Sequence, residues 1–498
     1  MFMSFKRTHS HSRSNFILHS AAVLCSVVVM GVLLSGCRPS QSNIDAATQL
    51  VIDAKALVSG SRFADAMNSY ESAMEEDSGN VDIYTGIAEI YVIKNRPDDA
   101  RDVLKTGVGK SREKSQAYRM WGQIELTAGD AKTAVTYLRN AVQRDKSDDE
   151  ARYYLARAYV NDNDFEKGAD EAAKISEDGG EWFVRGGLLS AALAGTDIES
   201  ARASINSIKG ITVGDDLADS VSAYDATLSR VENLSDDEKT DEYVAVILSY
   251  AALQAGYEDI VLDTLSGYAS DESEYGDLYL YLGEAYYMNM QYEEAADALT
   301  DAVTLNPVDA VGPLFLARAS GQLGASTQMK ESYLRAIALA PDEDRGAIRE
   351  EYAEALQEES QFSAADEQWR LLVEEDPDQA DKYELMRVSL MLTQSKYDDA
   401  QNLLDDLDVS GMPDGLAAKY NWAVASVEFS GANFSVAGER INEAITLQGD
   451  VPEYHLMRGA IYFEIGDEAN ASAELEKAID LDVSGKVSAD ANKILDRI

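Results

Sequence analysis

The sequence holds two cysteines, and both, Cys25 and Cys37, stand in the first 37 of 498 residues. The body therefore has no thiol for a disulfide, and its stability has to come from packing. Histidine is nearly as scarce. His9, His11 and His19 precede Cys37, which leaves His455 alone. One imidazole and no thiol cannot build the usual nitrogen–sulfur metal site, so no metal and no cofactor are expected. The same scarcity excludes Ser-His-Asp and Cys-His catalysis. No glycine-rich phosphate loop is followed by Lys-Ser or Lys-Thr, and the chain reads as a binding protein, not an enzyme. Proline is low as well, with 8 residues, which suits a mostly helical chain. Basic residues number 43 against 89 acids, a net charge of −46. Such a surface repels phosphate backbones and disfavours nucleic acid. It suits a solvated exterior, a basic partner or divalent cations.

What is present begins with an address. The first 36 residues carry Lys6, Arg7 and Arg13 and no acid, so the remainder is three charges more negative than the whole. An apolar run, Ala21 to Leu34, is followed by Leu34-Ser35-Gly36-Cys37. The run is shorter than the roughly 20 residues a membrane-spanning helix needs. Small residues ahead of a cysteine resemble the bacterial lipobox. The resemblance implies a signal peptide over 1–36, acylation of Cys37 and a lipidated tether over 37–46. Arg38, rather than an aspartate, follows the cysteine. By the same resemblance this places the chain in the outer membrane, facing the periplasm.

The rest is periodic. Ala66, Ala100 and Ala134 are 34 residues apart, and Pro307, Pro341 and Pro377 are 34 and 36 apart. In the clearest unit, Gly276 to Asp309, Tyr279, Leu282, Gly283 and Tyr286 mark a first helix. Ala295, Leu299 and Ala302 mark a second, and Pro307 follows it. Small residues fall where two helices cross and large ones where space must be filled. This alternation resembles the tetratricopeptide repeat. The expected fold is all-α: a tetratricopeptide-repeat solenoid, a superhelix of about twelve helical hairpins with a C-terminal capping helix. Units 1–4 are expected over 47–182 and degenerate helical hairpins over 183–275. Units 7–12 follow over 276–485, and the cap over 486–498. The weak middle reads as a hinge or a degenerate stretch between two sub-arrays. Asp162-Asn163-Asp164 begins like a calcium loop, but Lys167 stands where glycine is required, so it reads as a hairpin turn. His455 reads as a packed or surface histidine.

The resemblance also implies a binding groove on the inner face, lined by first helices. In the clearest unit its residues are Asp277, Leu280, Glu284, Tyr287 and Met288. Farther on, Trp422, Phe429 and Phe463 fall on the same face. Acids beside aromatics suit a peptide or helix of a protein partner, basic in character. A lipobox followed by a long array resembles lipoproteins of exopolysaccharide export and exosortase (PEP-CTERM) protein sorting. The expected role is a membrane-anchored periplasmic scaffold for envelope assembly or export. Alternatives are a glycan-binding solenoid for polymer transit and a lipoprotein of outer-membrane protein or pilus assembly.

Overall fold

The computed structural model describes residues 39–498, apart from 61, 236, 271, 272 and 483. Cys37 and the signal-like segment lie outside the described residues. Those residues form 26 α-helices and no strand. Twelve antiparallel hairpins account for all but two helices. The first four are α1 (Gln41–Ser59) with α2 (Phe63–Glu76), α3 (Val81–Ile93) with α4 (Pro97–Lys110), α5 (Ser115–Thr127) with α6 (Ala131–Arg144), and α7 (Asp149–Asn161) with α8 (Phe165–Ala172). In the middle, α9 (Glu181–Leu193) pairs with α10 (Ile198–Ile208) and α12 (Asp241–Gln254) with α13 (Glu258–Ser266), and α11 (Asp215–Glu232) stands between them unpaired. Then come α14 (Gly276–Met288) with α15 (Tyr292–Leu305), α16 (Val311–Gln322) with α17 (Ser326–Leu339), and α18 (Asp342–Glu358) with α19 (Phe362–Glu375). The last hairpins are α20 (Ala380–Thr393) with α21 (Tyr397–Asp406), α22 (Asp414–Ser430) with α23 (Phe434–Leu447), and α24 (Pro452–Glu464) with α25 (Glu468–Leu481). The closing helix is α26 (Lys486–Leu495).

In several hairpins one small residue lies under one large one. A methyl group added at Gly122 would overlap Leu138, and one at Gly283 would overlap Leu299. At Gly459 it would come within 2.8 Å of Leu475. Ala66, Ala100, Ala134, Ala295, Ala365, Ala400, Ala437 and Ala471 are all fully buried at the second helix's crossing. No hairpin hides its apolar side alone, so each depends on its neighbours.

The turn inside the hairpin repeats more strictly than the side chains do. Asn95, Gly129, Asn163, Gly195, Gly256, Met290, Gly324, Ser360, Ser395, Ala432 and Gly466 all have φ between 52° and 80°. This left-handed residue lets the chain reverse in two or three residues. Asn163 holds the place in the stretch that begins like a calcium loop, and the Asp164 carboxylate caps α8 at the Lys167 amide.

The middle is the stretch that departs from the regular template. The largest apolar core runs from Tyr153 to Ala319 and spans this region. Tyr224, Leu228 and Val231 of the unpaired α11 are buried in it, filling the gap between two hairpins. Beyond it α13 folds back onto α7 of the fourth hairpin. There Arg157 lies 3.8 Å from Glu258 with its guanidinium over the Tyr257 ring, and the Tyr257 hydroxyl donates to the Arg185 carbonyl at 3.0 Å.

At the far end, Val487 and Ala491 of α26 are buried against α24 and α25. The Asp482 carboxylate holds the entry to α26 by accepting from the amides of Ser484, Gly485 and Ser488. The last hairpin also returns to the first. Helix α25 packs against α2, and the Lys94 ammonium lies 2.7 Å from Asp480.

Candidate binding trough

The first helices of successive hairpins stand side by side and line the inner face. Over the first four hairpins, charges on and near that face are spent on one another. Lys55 meets Asp82 at 3.2 Å, Arg119 meets Asp148 and Glu150 at 2.8 and 3.2 Å, and Gln123 donates to Glu150. Next, the α13–α7 contact occupies the inner side, and burial pushes the Glu258 carboxyl up.

From α12 to α20 the inner face is open and differently furnished. Tyr250 of α12 is 45% exposed, and its ring lies 5.7 Å from that of Tyr281 on α14. Tyr287 at the end of α14 meets Phe315 of α16 edge-on at 5.8 Å. Arg318 stacks on Phe315 at 4.9 Å and closes a fork on Glu351 of α18 at 2.8 and 2.7 Å. The Tyr333 hydroxyl donates to the same carboxylate.

Near Tyr281 sits Glu284, which makes no hydrogen bond or ion pair to a described residue. Burial, with Asp309 nearby, pushes its carboxyl up to about 7. Asp277 shifts upward for the same reasons. Asp309 itself is occupied in capping α16 at the amides of Val311 and Gly312.

The trough continues as an open cavity of about 500 Å³ between α18 and α20, lined by Glu343, Glu350, Glu354, Asp376 and Tyr383. Glu350 is held by Lys382 and Tyr383, each at 2.8 Å. Lys419 lies 2.8 Å from the Met386 sulfur, and burial pulls its ammonium down despite Glu354. No cluster of three or more His, Cys, Asp or Glu side chains among the described residues is arranged to hold a metal.

Of the residues expected to face the groove, Asp277, Glu284 and Tyr287 lie in this trough. Met288 is partly buried against the core, as Tyr287 is, and Leu280 is buried at 8% exposure. Trp422 leans on Tyr454 of the next hairpin, Phe429 packs edge-on against Phe434, and Phe463 is covered by Arg497 at 4.6 Å. All three are partly buried, each with a neighbouring side chain against its ring. His455 is 5% exposed, its two nitrogens engaged by Glu474 and the Gly449 carbonyl.

Tyr250, Tyr281, Phe315 and Arg318 were not anticipated as trough residues. Two signals point to them: Tyr250, Glu284 and Arg318 are 34 residues apart, as are Tyr281 and Phe315. Each series marks a fixed place on successive first helices.

No curated protein matches the chain. Among solved structures, it is similar to one from the "APC/C hetero-tetramer Cut9-Hcn1", at 12% identity, covering 96% of this chain and 99% of that one, with a TM-score of 0.33. It is similar to yeast Tom70 at 14% identity, covering 91% and 96%, also at 0.33. Pseudomonas aeruginosa pilF is 16% identical, covering 45% of this chain and 97% of its own, again at 0.33. Family models described as "Tetratricopeptide repeat" match residues 57–122, 125–193 and 452–482. The chain thus carries tetratricopeptide repeats near both ends of an all-helical solenoid.

Proposed function

We propose that this chain is a non-enzymatic scaffold that holds an extended, basic segment of a partner protein in the trough between α12 and α20. The observation that carries the reading is Glu284, a partly buried carboxyl near Tyr281 that makes no ion pair with a described residue, whereas the buried Asp77 and Glu125 are each paired with an arginine. A lysine or arginine side chain would supply the missing charge, and the rings would take its alkyl stem. Repeats 34 residues apart match an extended peptide laid across successive helices.

The lipobox-like segment supports the rest of the proposal. Acylation at Cys37 would anchor the array to the outer membrane, facing the periplasm. There it would recruit partners for envelope assembly or export, with exopolysaccharide export and exosortase-type sorting as the leading pathways. Outer-membrane protein or pilus assembly is the alternative within the same class. The Tyr250–Tyr281 pair favours one reading outside it, a glycan stacked on exposed rings during polymer transit.

The test uses fluorescent peptides of matched length, one lysine- and arginine-rich and one acidic, beside an oligosaccharide panel. The basic peptide is expected to bind, and to lose at least tenfold in affinity with Glu284→Lys. Equal binding of the acidic peptide, or saccharide binding alone, would overturn the protein-partner reading. Intact mass of the mature chain tests the anchor separately, since an unacylated Cys37 would remove it.

A further inference from the structure

In a solenoid each hairpin needs only its neighbours, so a contact between the two ends is not required by the fold. This chain makes one. Asp480, near the end of α25, meets Lys94, at the C-terminus of α3, across 386 residues at 2.7 Å. The pair is enclosed, with side-chain exposures of 17% and 14%. Lys94 is positioned from its own side by the Phe63 ring, 5.4 Å below its ammonium, and Phe63 is itself 5% exposed at the start of α2. The second contact, α25 on α2, lies beside it.

From these observations we propose that the array is a closed circuit held by an ionic clasp, Lys94 to Asp480, and that the clasp opens reversibly without unfolding any hairpin. Two arguments make it a device and no mere surface ion pair. First, opening breaks only the end-to-end contact, and every hairpin interface in between remains, so the open form keeps its helices. Second, the charges are withdrawn from water when closed and rehydrated when open, so attraction and desolvation nearly cancel. A contact so balanced stays closed by a small margin, and a modest perturbation opens it. Small bends summed over twelve hairpins then separate the ends, and the trough on the inner face gains a wider entrance. The inference does not depend on what the trough binds.

The experiment measures a distance between the ends. In the full chain with Cys25 and Cys37 replaced by serine, spin labels are placed through Ser72→Cys on α2 and Glu476→Cys on α25. The expected result is one short, narrow distance distribution for the parent. Asp480→Lys and Lys94→Asp each broaden and lengthen it while circular dichroism keeps its helical signal. The exchanged pair, Lys94→Asp with Asp480→Lys, restores the narrow form. Asp480→Asn and Lys94→Gln, which add no repulsion, give intermediate distributions and stand in if a reversal disturbs folding. A parent already broad, or single variants as narrow as the parent, would overturn the clasp. So would a loss of helix on opening.

Discussion

Two acids show how the halves of this molecule differ. Asp77, after the first hairpin, has a side chain 1% exposed and is gripped by both arms of Arg112 at 2.7 and 2.5 Å. Glu284, on the seventh hairpin, is partly buried and makes no ion pair with a described residue, with Arg318 only near enough to draw weakly on its charge. The same repeat template builds both places. In the first half, charge is neutralised inside the protein, by Arg112, Arg101 on Glu125 and Arg119 on Asp148. In the second, part of it is left for something outside. A perturbed carboxyl in an open trough is a mark of a working surface, whereas a satisfied buried pair is a mark of construction.

The sharpest way to break this contrast is to remove the cation in the first half. Arg112→Leu strands the Asp77 carboxylate with the Gly79 amide as its remaining donor. Removing one partner of a buried pair costs about 3–5 kcal/mol; solvent reaching Arg112, whose side chain is 52% exposed, lowers this to about 2–4 kcal/mol, the largest effect expected here. The arginine, as a hydrogen-bond partner, holds the Asp77 carboxyl below its ordinary value. The pair therefore stabilises above the unfolded value near 3.8, and its contribution fades as pH falls through the lower folded value. Urea titrations should show parent and variant far apart at pH 7 and converging below about pH 4. A constant gap at all pH values would mean that the side chain's packing matters and its charge does not.

The second half should respond in the opposite direction. The folded Glu284 carboxyl is pushed up to about 7 from an ordinary 4.5. Between those values the folded chain holds a proton the unfolded chain has released, so stability falls as pH rises through that window. Above pH 7 the penalty is complete. Glu284→Gln removes it, and the variant should be more stable by on the order of 2 kcal/mol at pH 8 and equal to the parent near pH 4.5. The same substitution should weaken binding of a basic peptide, so stability and function part at one residue. A destabilised Gln variant at pH 8 would show that the carboxylate already has a partner.

Much of the fold was legible because the packing rule is written in single residues. Gly122, Gly283 and Gly459 lie under Leu138, Leu299 and Leu475, and only a small side chain fits there. Such positions recur whatever else the sequence does. The middle was harder, because its order comes from contacts the period does not encode. Tyr257 meets Arg185, 72 residues away, and the lone α11 fills space with Tyr224 and Leu228. The trough was legible by half. A repeat template names which places face inward, but it does not say which of them a neighbouring helix will cover. Trp422, Phe429 and Phe463 each lie against a neighbouring side chain, as Phe315 does, while Tyr250 stayed open.

The smallest effect concerns the turns, and it sharpens the comparison from the backbone. In the first half the left-handed turn residue is Asn95, Gly129, Asn163 or Gly195, types that accept that conformation easily. In the second half, Met290, Ser360, Ser395 and Ala432 adopt it with φ of 57° to 60°. A side chain there costs roughly 1–2 kcal/mol, because Cβ crowds the next carbonyl. Met290 lies between Gly256 and Gly324, each 34 residues off, and is 48% exposed, so little packing is lost by removing it. Met290→Gly relieves the crowding but loosens the unfolded chain, which takes back about 0.4–1 kcal/mol. The net expectation is a gain of about 0.5 kcal/mol, seen as a rise in Tm of a degree or two for a chain of this size. Asn163→Gly, in a turn of the same shape, should change almost nothing. Equal responses at the two sites would mean that the second half carries no more turn strain than the first.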